Sequence, residues 1–265
     1  YEKPFLKFDR ILSTSLHTAP FSWRVFKESM LLWLTEKLWV KGLLRDQSRL
    51  WDSQRILFCE HHLSHAASAY YCSPYNEAAV LTADAVGEWA TTTLGIGKGN
   101  NLRTLYELRF PHSIGLLYSA FTAFLGFQVN DGEYKVMGMS AYGQPRYVDK
   151  VLKLVQMGED GSISLNMRYF SYHHSTRRMF NHRFEDLFGA PRTKEQSESL
   201  DPYYADIAAS IQKVTEDIMV KIAQQLRRLT DMRHLCMAGG VALNCVANGK
   251  ILKNNIFENI WLQPA

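Results

Sequence analysis

The stretch CEHHLSHAASAYYC, residues 59–72, puts three histidines into five positions. On a helix, His61 and His65 stand four residues apart and share a face, as two ligands of one metal ion must. His62 points elsewhere and cannot join that pair without distortion. The alternative is a pair of solvated or capping histidines at a helix start, since a sequence with 9 histidines produces such spacings by accident. No HExxH motif is present, which disfavours zincin protease chemistry. In LTADAVGEW, Asp84 closes an apolar run, where a strand delivers a side chain to the carboxyl edge of a sheet. A carboxylate there completes a two-histidine, one-carboxylate set that suits Fe(II), Mn or Zn with positions left open. The competing reading is an aspartate that caps the turn before Gly87.

A second constellation, CMAGGVALNCVANG, runs a strand into Gly239-Gly240 and starts a helix within a few residues. Glycines let a phosphate approach the backbone, and a helix N-terminus offers N–H donors and the positive end of its dipole. Asn244 and Asn248, at i and i+4, are placed to hydrogen-bond ribose or phosphate. The same glycine pair suits a tight strand-to-helix turn with no ligand at all. In NDGEYKVMGMSAYGQP, Glu133 and Lys135 beside a glycine turn could orient a nucleotide or neutralise a phosphate, or simply decorate a solvated turn.

The elements that must position these residues follow from hydrophobic period and turn signals. Helical spacing of apolar residues over 21–45 predicts one helix or two, packed on their own domain. RILFCE (55–60) suits a short buried strand, and the histidine stretch a helix that ends at Ser73-Pro74. Runs at 78–86, 90–97 and 102–110, separated by Gly87-Glu88 and Gly99-Asn100-Asn101, predict an antiparallel meander. SIGLLYSAFTAFLGF, EYKVMGMSAYG and RYVDKVLKLVQ read as helices, and residues 160–200 as short strands with a long polar surface excursion. A long amphipathic helix over 204–230 carries Ile207, Ile211, Val214, Ile218 and Ile222 on one face. A strand, a helix and the strand NIWLQP close the order, which is that of a ribonuclease-H-like α/β unit without its last helix.

The chain has 265 residues, enough for one large domain or two ordinary ones. A net charge of +4, with 46% hydrophobic and 21% charged residues, suits a globular protein and gives no sign of nucleic-acid binding. Cys59, Cys72, Cys236 and Cys245 have no zinc-ribbon spacing and lie in apolar segments, which predicts buried free thiols, a reducing compartment and a cytoplasmic location. No uncharged apolar run spans a bilayer, and Trp33 and Trp39 near basic residues suit an interfacial helix less well than a packed one.

Together, EHHLSHAASAYYCSPYNEAAVLTADAVGE, DGEYKVMGMSAYGQP and AGGVALNCVANGK resemble the O-carbamoyltransferases of antibiotic and nodulation-factor biosynthesis, the NodU/CmcH group. The resemblance runs from about residue 30 to 265, with the three motifs in the family's order. It implies a duplicated actin/Hsp70/sugar-kinase-like, ribonuclease-H-like α/β fold, related to the tRNA threonylcarbamoyl transferase. Residues 1–75 would then end a first subdomain and residues 76–265 form a second one lacking its last helix, with the C-terminal YrdC-like domain absent. The resemblance also implies a divalent metal, usually iron, on His61, His65 and Asp84. It places the nucleotide loop on Gly239, Gly240, Val241, Ala242 and Asn244. The family's opening His-Asp motif and a further metal-binding aspartate beyond Ala265 have no counterpart in the chain, so a catalytically incomplete fragment is expected.

The activity so implied is ATP-dependent transfer of a carbamoyl group from carbamoyl phosphate, through carbamoyl-adenylate, to a hydroxylated small molecule. Glu133 and Lys135 would assist the nucleotide, and His62 is a candidate proton acceptor. A tRNA threonylcarbamoyl transferase-like or hydrogenase-maturation carbamoyltransferase is the first rival, and a non-catalytic nucleotide- or metal-binding module the second. Expected partners are the acceptor and carbamoyl phosphate, with a possible homodimer and neither nucleic acid nor membrane.

Overall fold

The computed structural model describes residues 3–47, 56–193, 196 and 200–263. The chain opens with helices α1 (Pro4–His17), α2 (Trp23–Thr35), α3 (Val40–Gln47) and α4 (His61–Tyr71). Strands β1 (Glu77–Ala83), β2 (Ala90–Lys98) and β3 (Asn101–Arg109) follow, then helices α5 (Ile114–Phe124), α6 (Glu133–Ser140) and α7 (Val148–Val151). A small hairpin, β4 (Val155–Met157) and β5 (Ile163–Leu165), leads to α8 (His182–Phe188) and the long α9 (Pro202–Thr230). Strand β6 (His234–Ala238), helix α10 (Cys245–Lys253) and strand β7 (Asn259–Leu262) complete it.

Residues Ala78 to Ala83 of β1 are all buried, so both faces of this strand need cover. It lies at the centre of a five-stranded sheet of order β3-β2-β1-β6-β7. The β1–β2 and β2–β3 pairs are antiparallel, whereas β6 runs parallel to β1 and β7 parallel to β6. Alternation along the strands divides the side chains between two layers. Ala78 and Val80, with Cys236 and Ala238, meet Ala66, Ala69 and Tyr70 of α4. Ala79, Leu81 and Ala83, with Leu235 and Met237, join the larger core built from α5 and α9. Gly97 lets α4 come this close, because a Cβ there would lie 2.5 Å from the Tyr70 ring.

Helix α9 has the expected apolar face, with Ile207, Ile211, Val214, Ile218 and Ile222 all buried. Its start is set by Pro202 in the first turn and by the Asp201 side chain, which accepts a hydrogen bond from the Tyr203 backbone. The meander, α5, α6 and the closing strand–helix–strand likewise form where the hydrophobic period places them.

Several expectations need correction. Residues 56–60 form no strand, because they find no neighbour to pair with among the described residues and Leu57 is exposed; residue 55 lies outside the described residues. The helix expected over RYVDKVLKLVQ is only α7, since Leu154 and Val155 turn inward and Val155 pairs with Leu165 in the β4–β5 hairpin. The region 160–200 is no mere surface excursion: Phe170, Phe184 and Phe188 are fully buried in the main core. Of the four cysteines only Cys236 is buried, while Cys72 and Cys245 are exposed and Cys59 is intermediate. Helix α2 buries only Trp33, which packs on Phe5 and Phe8 of α1, and leaves Trp23, Leu31 and Leu34 exposed. No helix among the described residues is long and apolar enough to cross a membrane.

Candidate metal centre

Helix α4 begins at His61, and its four-residue period stacks His65 above that residue. Strand β1 ends one residue before Asp84, so the aspartate emerges at the carboxyl edge of the sheet, facing the start of α4. His61 Nε2, His65 Nε2 and Asp84 Oδ2 stand 3.0 Å from one another on all three edges. The three side chains are partly exposed, at 27%, 16% and 22%. The sequence-derived ligand set is thus a single cluster in the structure.

This triangle can be tested against metal geometry. Ligands at right angles around an ion, separated by 3.0 Å, lie at 3.0 Å divided by √2, or about 2.1 Å, from the centre, a normal distance for imidazole nitrogen and carboxylate oxygen. A tetrahedral ion at that distance would spread its ligands to roughly 3.4 Å. The triangle therefore fits one face of an octahedron with three positions open. Protons alone fit less well. If both imidazoles donate to Asp84, neither Nε2 is left to accept across the 3.0 Å His61–His65 edge; a cation between the three atoms suits all three edges.

Burial disfavours the charged form of Asp84, yet hydrogen bonds from His61 and His65, and from the Ala85 backbone at 2.7 Å, outweigh it and hold the carboxyl well below the usual range. His62 lies beneath the triangle, 4% exposed. Its Nδ1 is 2.7 Å from Thr82 Oγ1, which is 2.5 Å from Thr93 Oγ1, while its buried Nε2 has no hydrogen-bond partner among the described residues. Burial, aided by the His61 charge, pushes its pKa down from 6.5 to about 4. Burial, then His174, does the same to His173, again to about 4. Both rings are neutral in the folded protein at pH 7. Between these values the unfolded chain binds more protons than the folded one, so stability rises with pH across that window. Metal-free protein is expected to show a falling urea midpoint as pH drops from 6.5 to 4. Asp84 adds to the loss below about pH 4, where the unfolded carboxyl protonates first. A midpoint that stays flat or rises on acidification would contradict this.

A cavity of about 440 Å³ adjoins the triangle, lined by Asp84, Gly115, Tyr118, Glu133, Gly240, Val241 and Asn244 among others. Of the expected nucleotide residues, four line this cleft. Gly239 lies behind it with φ +99, where a Cβ would come 2.4 Å from the Ala83 carbonyl oxygen. Lys135 is exposed on α6, its Nζ 5.7 Å from the centre of the Tyr134 ring, and does not line the cavity. Glu133 ties α6 to α5, accepting from Ser119 Oγ at 2.7 Å and from the Asn130 backbone at 3.0 Å. Asn244 caps α10 and exchanges two amide hydrogen bonds with Gln212, at 2.9 and 3.0 Å. Asn248 turns away from the cleft: its Nδ2 donates to the Ala242 carbonyl at 2.7 Å, pinning the short turn Gly240–Leu243. The Tyr118 hydroxyl donates to Gln212 Oε1 at 3.0 Å, completing a floor that no spacing motif reveals.

The two glycines have different tasks. A Cβ on Gly240 would lie 3.1 Å from Asp84 Oδ1, the oxygen that accepts from the Ala85 backbone N–H, so the glycine turn leaves room for that carboxylate. Gly240→Ala is expected to weaken divalent-metal binding by roughly 10-fold with little loss of stability, as a shifted ligand support does. Gly239→Ala, which forces a side chain into a left-handed backbone against a carbonyl, should instead cost about 1–3 kcal/mol of stability. Calorimetric metal titration and thermal melts on both variants separate the two; equal metal affinity for Gly240→Ala and wild type would refute the first.

The family model described as "Carbamoyltransferase N-terminus" matches residues 1–265. An uncharacterized protein of Synechocystis, sll1178, is 50% identical over 272 aligned positions, covering 100% of this chain and 44% of that protein. Nodulation protein NolNO of Sinorhizobium fredii is 32% identical over 243 positions, 91% of this chain and 34% of the relative. Nodulation protein NolO of Bradyrhizobium diazoefficiens is 31% identical over 206 positions, 77% and 35%. The chain thus spans well under half the length of these curated relatives. By its match over the whole chain, the protein belongs to the carbamoyltransferase N-terminal family.

Proposed function

We propose that the full-length protein is an ATP-dependent O-carbamoyltransferase in which this chain supplies the metal and nucleotide sites. The observation that carries the reading is the triangle of His61, His65 and Asp84 at the edge of the cavity lined by Gly240 and Val241. A divalent ion, iron by preference, would polarise the carbamoyl carbonyl of carbamoyl-adenylate and stabilise the charge that develops as a hydroxyl attacks. The residues' own tasks are binding and orientation. Gly240 leaves the cavity wall open beside the Asp84 carboxylate, where a phosphate would approach, Gly239 supports that turn from behind, and Glu133 and Asn244 shape the walls around the nucleoside. His62, neutral and covered, orients the helix start rather than reaching the acceptor, whose proton passes to solvent as AMP leaves.

The sheet order, with β6 and β7 parallel to β1 and an antiparallel meander beside them, supports a ribonuclease-H-like unit for residues 76–265. The duplicated actin/Hsp70-like arrangement, with residues 1–75 in a first subdomain, belongs to the same proposal. The test is incubation of full-length protein with carbamoyl phosphate, ATP and a panel of hydroxylated small molecules, followed by mass spectrometry. An acceptor-dependent carbamoylated product, lost on chelation, is expected. AMP release without any such product would contradict the proposal.

A further inference from the structure

We propose that Glu88 is a positioning residue of the metal centre, its buried carboxylate gripping the backbone at the start of α4 and so fixing where His61 and His65 face. The inference rests on the metal reading of that triangle. The first N–H groups of a helix have no partner within it. At α4 the residue in the capping position, Glu60, makes no side-chain capping bond. Glu88 supplies one from 27 residues away: its Oε2 accepts from the His61 backbone N–H at 3.1 Å. Its Oε1 accepts from the Lys3 backbone N–H at 2.9 Å, immediately before α1. Glu88 is only 5% exposed, so these charge-assisted bonds act in a low-dielectric setting and at the positive end of the α4 dipole.

The geometry ties this carboxylate to the ligands. Asp84 and Glu88 belong to one turn, closed by the Gly87 N–H donating to the Ala90 carbonyl at 2.8 Å. That turn wraps the helix start so closely that a Cβ on Gly87 would lie 2.9 Å from His61 Cβ and 3.0 Å from His62 Cδ2. His61 is therefore held twice, through its ring by Asp84 and through its backbone by Glu88. The far end of α4 is held by the Tyr70 hydroxyl, which donates to the Asn76 carbonyl at 2.7 Å. With Glu88 gone, the helix pivots about that end, and the displacement is largest at the first turn, where His61 and His65 project. A ligand set loosened by about 1 Å no longer meets one ion well.

The test uses Co(II), whose visible absorption reports the ligand set. Glu88→Ala in full-length protein is expected to weaken Co(II) binding about 10-fold or more and to alter the spectrum of the bound ion, as loss of a ligand's support does. Glu88→Gln, whose amide can accept from only one of the two N–H groups through its oxygen, should lie between Ala and wild type, and it serves if Glu88→Ala fails to fold. Glu60→Gln removes the exposed Lys3–Glu60 pair (2.8 Å) at the same helix start and should leave Co(II) affinity within about twofold, as exposed pairs contribute little. Wild-type affinity and spectrum in both Glu88 variants would overturn the proposal. If wild-type protein takes up no Co(II), the metal reading itself fails, and the positioning role is read from amide hydrogen exchange at His61 in metal-free protein. Faster exchange in Glu88→Ala then supports the grip on α4, and unchanged exchange overturns it.

Discussion

On the proposed function, full-length protein carrying His61→Ala together with His65→Ala is expected to bind no divalent metal at this site and to show no carbamoyl transfer. The Nε2 atoms of both residues and Asp84 Oδ2 form the 3.0 Å triangle, so the double variant leaves one carboxylate oxygen from the set. Even a support behind a ligand is worth about 10- to 100-fold in metal affinity, so the loss of two ligands should exceed 100-fold. His173→Ala is the control: His173 lies in the segment between β5 and α8, stacked edge-on with His174 at 4.5 Å and outside the triangle, and should change neither metal content nor activity. Elemental analysis after desalting is the readout. Wild-type metal content in the double variant would remove the site.

The largest effect on stability is expected from Phe184→Ala. This ring is fully buried, with the rings of Phe121, Phe180 and Phe188 at 5.0, 4.9 and 4.8 Å. Deleting a buried phenylalanine costs about 3–5 kcal/mol, the transfer free energy plus the cavity left behind. Urea unfolding should show a much lower midpoint with an unchanged slope. A loss below about 1 kcal/mol would mean that α8 is a surface appendage after all.

That cluster also shows where sequence reading stops. Long, strongly periodic elements were legible: the five apolar positions of α9 all point inward, and the runs at 78–86, 90–97 and 102–110 appear as the meander β1–β3. Phe170, Phe180, Phe184 and Phe188 were hidden because they sit in a polar stretch whose elements are too short to show a period. RYVDKVLKLVQ has a helical pattern, but the demand that Leu154 and Val155 be buried together overrides it. The same division runs through the site. His61, His65 and Asp84 were readable because one pair follows helical spacing and the third ends a strand. The role assigned to Glu88 was not, because its partners are backbone groups of His61 and Lys3, and no side-chain motif marks them. Asn248 shared the helical spacing of Asn244, yet it faces the protein because the turn carbonyl of Ala242 needs a donor.

The exposed apolar residues of α2, together with the relatives' greater length, bear on any experiment with the isolated chain. Trp23, Leu31 and Leu34 present an uncovered face of the kind that promotes association. Metal and activity measurements are therefore best made on full-length protein.

The most direct test of the metal centre is anomalous diffraction from crystals of full-length protein grown with Fe(II) or Mn(II), recorded at the absorption edge of the metal. A single strong peak is expected about 2.1 Å from His61 Nε2, His65 Nε2 and Asp84 Oδ2. A triangle closed by hydrogen bonds with no peak, or a peak bound elsewhere, would contradict it.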